Sequence, residues 1–270
     1  KMLMSFLSTQ NKDLAAWVEK EVAFPNSMVD RITPVTTATE MKYLKDQFNL
    51  EDEWPVTCEP FLQWVIEDNF SNGRHDFDKV NGVQFVADVT PYEKMKIRLL
   101  NAGHSVLGIF GASMGIQTID ACTENTQLRR ILKNFWDKEV TPVLDEVEGI
   151  DLDEYKDSLL ERFANPNIKD NVSRICSESS AKLPKFLIPT INENLLKGSE
   201  IEIATFLIAV WCYYSDKQTD QNGQPLEIID TMADTLHQAA KKTTEDALSF
   251  LRVREVFGNL IDNQTFANLY

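Results

Sequence analysis

Three polar side chains, Lys96, Asn101 and His104, are spaced so that one small polar molecule could touch all of them. At about 3.6 residues per turn, a helix places Asn101 roughly 140° and His104 roughly 80° around its axis from Lys96, so the three share one side. A desolvated lysine amine can release its proton near neutral pH, and an amide and an imidazole can hydrogen-bond an oxygen that gains negative charge. The pattern favours interconversion of a secondary alcohol and a carbonyl compound.

Each of these residues also has a purely structural interpretation. A single histidine on an apolar helix is often a core residue with satisfied hydrogen bonds. Asn101, close to Gly103, could mark a helix irregularity, and Lys96 could extend its amine to water. From residue types and spacing alone, catalysis and core structure are comparably good explanations.

The three residues must be positioned by one helix. Thr90 can cap it, Pro91 suits its first turn, and Glu93 can complete a capping box, which puts Lys96 about two turns inside the helix. Apart from the site residues and two serines, residues 99–114 are apolar or small, which predicts a largely buried helix. Polar groups on such a helix need partners or a ligand.

Composition excludes several classes of protein. The formal net charge of -15 over 270 residues argues against a nucleic-acid surface, which needs clustered Lys and Arg. The most apolar run, residues 203–214, is too short to span a bilayer and predicts a core helix. The four cysteines are far apart, form no CxxC pair and predict reduced thiols. We therefore expect a cytoplasmic metabolic protein that binds neither nucleic acid nor membrane.

Two regions differ in periodicity. Residues 1–96 alternate helix and strand signals, with strands predicted at 28–32 and 83–89 and a capping box from Thr37 to Glu40. Residues 97–270 show nearly continuous helical periodicity without strand runs. We predict a mainly α protein, with a partial α/β segment over 1–96 and an all-helical domain over 97–270. Because the Lys96 helix crosses this boundary, we expect its polar residues at a domain junction, where clefts are common.

Three segments together resemble the long-chain polyol dehydrogenase family. Residues 24–34 read Phe-Pro-Asn-Ser-Met-Val-Asp-Arg-Ile-Thr-Pro, residues 59–70 read Glu-Pro-Phe-Leu-Gln-Trp-Val-Ile-Glu-Asp-Asn-Phe, and the third segment is the Lys-x4-Asn-x2-His helix. The resemblance extends from Leu14 to the end of the chain. It implies that the α/β segment is part of an incomplete Rossmann-type domain and that the helical part is the substrate domain.

The resemblance assigns roles to the helix residues. It implies that Lys96 is the general base that takes the alcohol proton, and that Asn101 and His104 hydrogen-bond the reacting oxygen. Glu93 matches a carboxylate that assists proton exchange with the base, although a capping role explains it equally well. The hydride passes to NAD or NADP. No metal is used, and the sequence shows no metal-spaced His/Cys cluster.

Further positions follow from the same resemblance. Val29 matches a residue near the nicotinamide and Asp30 one that binds substrate, while an ion pair between Asp30 and Arg31 is the structural alternative. Arg174 and Lys182 resemble ligands of substrate hydroxyls. A solvated basic face is the alternative for these two.

The front of the family pattern is not matched. Family members carry a Gly-rich strand-turn-helix, and the glycines at 108, 111 and 115 do not substitute for it, since their spacing differs and they follow a helix. They instead predict close helix packing. We expect residues that precede Lys1 in the complete protein, and weak or no NAD(H) binding by these 270 residues alone.

The function implied by the resemblance is oxidation of a polyol such as D-mannitol to a ketose such as D-fructose. One alternative is interconversion of mannonate and fructuronate, which needs a cation for the substrate carboxylate. Another is a catalytically incomplete helical module. We expect a small-molecule substrate and a monomer.

Overall fold

A three-stranded sheet and a long series of helices make up the fold, which a computed structural model describes for residues 2–270. The strands are β1 (Ser27–Asp30), β2 (Gln63–Glu67) and β3 (Val83–Val86). The helices are α1 (Met2–Gln10), α2 (Lys12–Glu21), α3 (Ala38–Phe48), α4 (Thr90–Lys96), α5 (Ala102–Ser113), α6 (Ile119–Glu124), α7 (Thr126–Phe135), α8 (Leu152–Phe163), α9 (Val172–Cys176), α10 (Ser179–Phe186), α11 (Ile188–Lys197), α12 (Glu202–Lys217), α13 (Ala233–Lys241), α14 (Arg254–Phe257) and α15 (Gln264–Leu269). Two π turns, Ile97–Asn101 and Trp136–Val140, interrupt this series.

The sheet is mixed, with β2 in its centre. β1 runs antiparallel to β2, pairing Met28 with Val65, and β3 runs parallel to β2, pairing Val65 with Gln84. Both predicted strands are present but shorter than expected. β2 carries no clean period of two, since Val65 and Ile66 are both buried, and strand periodicity therefore did not reveal it.

Helix starts in this region follow local capping. Thr37 and Glu40 form the predicted capping box before α3. The predicted cap at Thr90 is wrong, because Thr90 is itself the first helical residue and its backbone N–H donates to Asp88 Oδ1 at 2.9 Å. The cap is thus supplied from two residues further upstream.

By its backbone contacts the chain divides into two units. One comprises Cys58–Glu93 and the chain up to Thr33, and the other comprises Pro34–Thr57 and Lys94–Tyr270. The first contains the sheet with α1 and α2, and the second contains α3 and the helices from α5 onwards. This confirms the predicted fold class of an α/β segment followed by a helical domain. The division falls within α4, three residues before the predicted boundary at 96.

The helical unit has its core around α5 and α12. All residues of α5 from Ala102 to Ala112 are buried. The apolar run at 203–214 lies within α12, where Leu207, Ile208 and Trp211 are buried, as a core helix predicts. In the part of the chain that the structure describes, no helix is long and apolar enough to cross a membrane.

Candidate active site

A π turn lies between the lysine and the histidine of the candidate site. α4 ends at Lys96, the π turn occupies Ile97–Asn101, and α5 begins at Ala102. The Ala102 N–H donates to the carbonyl of Ile97, five residues back, instead of four as in an α-helix. The prediction of one uninterrupted α-helix is therefore wrong at this point.

The π turn brings the site residues closer together than the predicted helix would. One extra residue in a turn leaves each later residue about 100° behind its α-helical position. Asn101 then lies about 40° and His104 about 20° around the axis from Lys96, on opposite sides of it. The three side chains thus share a narrow face, and π turns recur at functional sites for this kind of reason.

Two buried polar atoms on this face have no hydrogen-bond partner. Asn101 Oδ1 and His104 Nε2 are both buried, and neither has a partner among residues 2–270. Leaving such an atom without a partner costs about 1–3 kcal/mol, so buried polar groups are nearly always paired. A hydrogen-bonding ligand would satisfy both atoms.

The environment of His104 keeps its imidazole neutral. The ring stacks on Phe163, with centroids 4.2 Å apart and planes 28° apart. Burial, together with the positive charges of Arg174, Arg162, Lys96 and Lys182, lowers the pKa of His104 to about 3. A neutral imidazole can donate one hydrogen bond to a substrate oxygen.

Lys96 differs from its basic neighbours on the same helical segment. Lys94 pairs with Asp145 at 3.0 Å, and Arg98 makes two hydrogen bonds of 2.6 Å to Glu193. Lys96 is half-buried and has neither a hydrogen-bond nor an ion-pair partner in the described part of the chain. Its amine is therefore available to a ligand.

Arg174 and Lys182 lie on helices packed against α5 and its π turn. Arg174 Nε donates to Asp170 Oδ1 at 2.7 Å, and its Nη2 also donates to Asp170 Oδ2. Lys182 Nζ donates to the carbonyl oxygen of Ile175 at 3.0 Å. Burial, with the charge of Arg174, lowers the pKa of Lys182. Both cations act on His104 electrostatically, so the structure brings them towards the predicted site.

A glycine lets this arrangement form. A Cβ on Gly108 would lie 2.7 Å from Ile175 Cγ2 and 3.3 Å from Cys176 Sγ. α9, which carries Arg174, can pack this closely on α5 only because position 108 has no side chain. A Cβ on Gly111 would overlap Cys122 Sγ in the same way. Gly108 and Gly111 thus serve helix packing, as predicted. The prediction is wrong for Gly115, which follows the end of α5 with a φ of +77°, a conformation that favours glycine, and faces Asp220.

The remaining predicted residues belong to the sheet unit. Val29 and Asp30 are neighbours on β1 and face opposite ways, with Val29 51% exposed and Asp30 fully buried. Glu93 is half-buried on α4, three residues before Lys96 and so about one helical turn away. Their roles remain those that the family resemblance implies.

Sequence reasoning missed three residues, namely Phe163 and Arg162, which act on His104, and Trp136, which contacts Phe163. The two aromatic residues fit ordinary core periodicity, and nothing local ties either of them to a helix some 30 to 60 positions earlier. Arg162 is 7% exposed and acts electrostatically on His104. Among residues 2–270, no three His, Cys, Asp or Glu side chains are grouped as metal ligands would be.

Comparisons with known proteins agree with one another. Residues 88–269 match the model of the mannitol dehydrogenase C-terminal domain, and residues 1–79 match the mannitol dehydrogenase Rossmann domain. The chain is 42% identical over 265 residues to a mannitol 2-dehydrogenase of Aspergillus fumigatus, covering 97% of this chain and 52% of that protein. It is 43% identical over 268 residues to a mannitol dehydrogenase of Saccharomyces cerevisiae, covering 98% of this chain and 53% of that protein.

Solved structures are similar over the same extent. The mannitol 2-dehydrogenase of Pseudomonas fluorescens, in a ternary complex with NAD and D-mannitol, is 40% identical with a TM-score of 0.90, covering 99% of this chain and 54% of that one. A D-sorbitol dehydrogenase in substrate-free form is 34% identical with a TM-score of 0.86, covering 98% of this chain and 54% of that one. The chain thus spans about half the length of these relatives. Since both family models match it in order and one covers its whole helical part, the chain belongs to the mannitol dehydrogenase family.

Proposed function

We propose that the protein interconverts D-mannitol and D-fructose with NAD or NADP as hydride carrier and without a metal. The observation that carries this proposal is the pair of buried, partnerless atoms, Asn101 Oδ1 and His104 Nε2, on the same helical face as the unpaired amine of Lys96. An alcohol oxygen placed there can be hydrogen-bonded and deprotonated at once. The bound NAD and D-mannitol of the Pseudomonas fluorescens relative support this substrate and cofactor.

The proton moves through Lys96. In polyol oxidation the neutral amine takes the proton of the reacting hydroxyl while the carbon loses hydride, and in ketose reduction the ammonium returns a proton to the oxygen. Glu93, about one helical turn away, is suited to pass that proton onward to water. Positioned general acids and bases contribute about 10²–10⁴ in rate.

Asn101 and His104 bind the reacting oxygen. The neutral His104 ring, fixed against Phe163, can present an Nε2–H donor. A half-turn of the Asn101 carboxamide exchanges Oδ1 and Nδ2, so that its buried position can also present a donor. Two such donors stabilise the negative charge that develops on the oxygen in the transition state.

Val29 is the residue of this chain suited to the nicotinamide. Its side chain is half-exposed on β1 and offers an apolar surface on which a flat ring can lie. When bound, the nicotinamide accepts the hydride from the substrate carbon. Asp30 is buried on the opposite face of β1. Its proposed role, substrate binding, rests on the family resemblance.

The charges around Arg174 favour a neutral polyol over a sugar acid. Asp170, which is 4% exposed, accepts hydrogen bonds from both Nε and Nη2 of Arg174. Its carboxylate balances the charge of the guanidinium and occupies the two donors that would otherwise bind a substrate carboxylate. Lys182 is partly committed to the carbonyl of Ile175. Both side chains retain donors for hydroxyl groups, which is what a polyol requires.

The test is a comparison of substrates with the complete protein that carries these residues. We expect NAD(P)-dependent oxidation of D-mannitol to exceed that of D-mannonate by at least about tenfold in kcat/KM, as discrimination by buried polar groups allows. Faster turnover of mannonate would contradict the proposal and favour the sugar-acid alternative. Absence of turnover with both would favour the non-catalytic module.

The proposal includes a monomer in the reducing cytoplasm. All four cysteines are free thiols, and burial raises the pKa of Cys122 and of Cys176 to about 12, so that neither is a reactive thiolate. Light scattering at micromolar concentration tests the first part, and a dimer mass would contradict it. Fractionation of cells tests the second.

A further inference from the structure

The π turn at the site is tied to a residue far away in sequence. Trp136 Nε1 donates a hydrogen bond of 2.9 Å to the carbonyl oxygen of Leu99, in the middle of the turn Ile97–Asn101. Trp136 is 1% exposed, and Leu99 is fully buried. The Ala102 N–H, shared between the carbonyls of Ile97 and Leu99, also reaches this oxygen. Because a π turn departs from the regular i→i−4 hydrogen bonds, the indole adds a donor from outside the helix to a carbonyl of the turn.

The absence of a side chain at Gly103 leaves room for the Trp136 indole. A Cβ on Gly103 would lie 3.0 Å from Trp136 Nε1 and 3.1 Å from its Cζ2. Contacts this short between carbon and a rigid ring require one of the two to move. Gly103 thus has no conformational reason to be glycine and a clear packing reason.

The same indole reaches His104 through a second aromatic ring. Trp136 lies against Phe163 with centroids 6.2 Å apart, and Phe163 stacks on His104 at 4.2 Å. The Trp136 side chain therefore contacts both the π turn between Lys96 and His104 and the Phe163 ring that stacks on His104. None of these contacts involves the substrate.

We propose that Trp136 is a positioning residue. Its indole stabilises the π turn 97–101 and thereby sets the angle between Lys96 and the pair Asn101 and His104. Without the Leu99 bond, an ordinary α-helical turn becomes competitive, and it would rotate Asn101 and His104 by about 100° relative to Lys96. The proposal rests on the proposed function only in its kinetic consequence. Its structural consequence can be measured independently.

The decisive variant is Trp136→Phe, which keeps an aromatic ring and removes the donor. In the complete protein we expect kcat for D-mannitol to fall by at least about tenfold while KM changes less than about threefold, since misplacement affects the transition state more than binding. Trp211→Phe is the matched control, a second buried tryptophan that packs on Phe250 and Phe257. It should lower stability and leave kcat within about twofold.

His104 provides a spectroscopic reading that a general loss of stability would not give. The ¹⁵N-labelled imidazole signals of His104 can be assigned as those that disappear in His104→Gln. Trp136→Phe should shift the His104 signals, which report the Phe163 ring beside it, and Trp211→Phe should not. Amide hydrogen exchange at residues 97–103 should be faster in Trp136→Phe than in wild type, and unchanged in Trp211→Phe.

Gly103→Ala disturbs the same contact by adding a methyl group against the indole, and it replaces Trp136→Phe as the test if that variant does not fold. It should reproduce the fall in kcat and the shift of the His104 signals, and in the double variant with Trp136→Phe it should add little, because the smaller ring leaves room for the methyl group. Unchanged His104 signals and kcat in Trp136→Phe, or fully multiplicative costs in the double variant, would overturn the proposal. If the wild-type protein oxidises no polyol but the His104 signals still shift, the proposed function fails and the positioning role stands.

Discussion

His104 lies face to face with Phe163, with ring centroids 4.2 Å apart, and it is buried where four cationic side chains act on it electrostatically. Burial first, and then the charges of Arg174, Arg162, Lys96 and Lys182, lower the pKa of His104 to about 3. A histidine at an acid-base site usually attracts the role of proton carrier. Here it stays neutral at all ordinary pH values and can act only as a hydrogen-bond donor or acceptor.

The first prediction concerns stability in acid. The folded-state pKa of His104 lies below its unfolded value of about 6.5, so the unfolded state binds more protons, and stability from this group falls as the pH drops from about 6.5 towards 3. Each pH unit in this window costs about 1.4 kcal/mol. His104→Gln removes the effect, and urea unfolding at pH 5.0 and 6.5 should show the variant losing about 2 kcal/mol less than wild type. If His104→Gln and wild type lose the same stability between pH 6.5 and 5.0, the imidazole is exposed to water and the prediction is wrong.

Glu139 gives a second prediction, with the opposite sign. Its carboxylate is 1% exposed and accepts hydrogen bonds from Ile203 N at 2.6 Å and Ala204 N at 2.9 Å, at the start of α12. Burial raises the pKa of Glu139 to about 7. The folded state therefore binds more protons than the unfolded state, and stability falls as the pH rises from about 4.5 to 7, by about 1.4 kcal/mol per unit.

In the window from pH 4.5 to 6.5 the two groups oppose each other. Glu139→Gln should therefore make stability rise more steeply with pH than in wild type, whereas His104→Gln should make it rise less or fall. The double variant should return to a slope near that of wild type. The comparison uses slopes, because Glu139→Gln also removes one acceptor from the α12 start and lowers stability by about 1 kcal/mol at every pH. Parallel slopes for Glu139→Gln and wild type would contradict the prediction.

How much the sequence reveals about this protein depends on how local each signal is. The capping box of Thr37 and Glu40 and the core helix around Trp211 follow from neighbouring residues, and both were predicted correctly. The π turn was not, since a turn of this kind depends on a donor at position 136 that no local pattern reveals. Assuming a regular helix spread the three site residues over 140° instead of about 60°.

The surroundings of the site show the same division. The residue types at 96, 101 and 104, together with family resemblance, predict where the chemistry takes place. The partnerless buried atoms that argue for a ligand there are visible only in the folded structure. Arg174 looked like an open substrate ligand until its pairing with Asp170, four residues earlier, became visible. That pair lies at an i,i+4 spacing and could have been predicted from sequence.

A third prediction concerns the base. Lys96→Ala should lower kcat for D-mannitol oxidation by about 10²–10⁴, the range that general-base catalysis supplies, while the Kd of NADH changes less than about threefold. Lys94→Ala is the matched control, because Lys94 stands two residues away on α4 and is paired with Asp145. That variant should keep kcat within about twofold. A Lys96→Ala protein with most of its activity would remove Lys96 from the mechanism.

The last prediction concerns the contact between α5 and α9, the helix that carries Arg174. In Gly108→Ala the new methyl group would stand 2.7 Å from Ile175 Cγ2, so α9 must shift away from α5. Overpacking of this kind costs about 1–3 kcal/mol of stability, and displacement of the α9 side chains should raise KM for D-mannitol more than it lowers kcat. Ile175→Ala in the same protein removes the opposing methyl group and should restore part of both losses, whereas in the Gly108 background it should only destabilise. Denaturant unfolding and steady-state kinetics on the four proteins of this cycle measure the coupling. Additive effects would show that Gly108 is not what lets α9 approach α5.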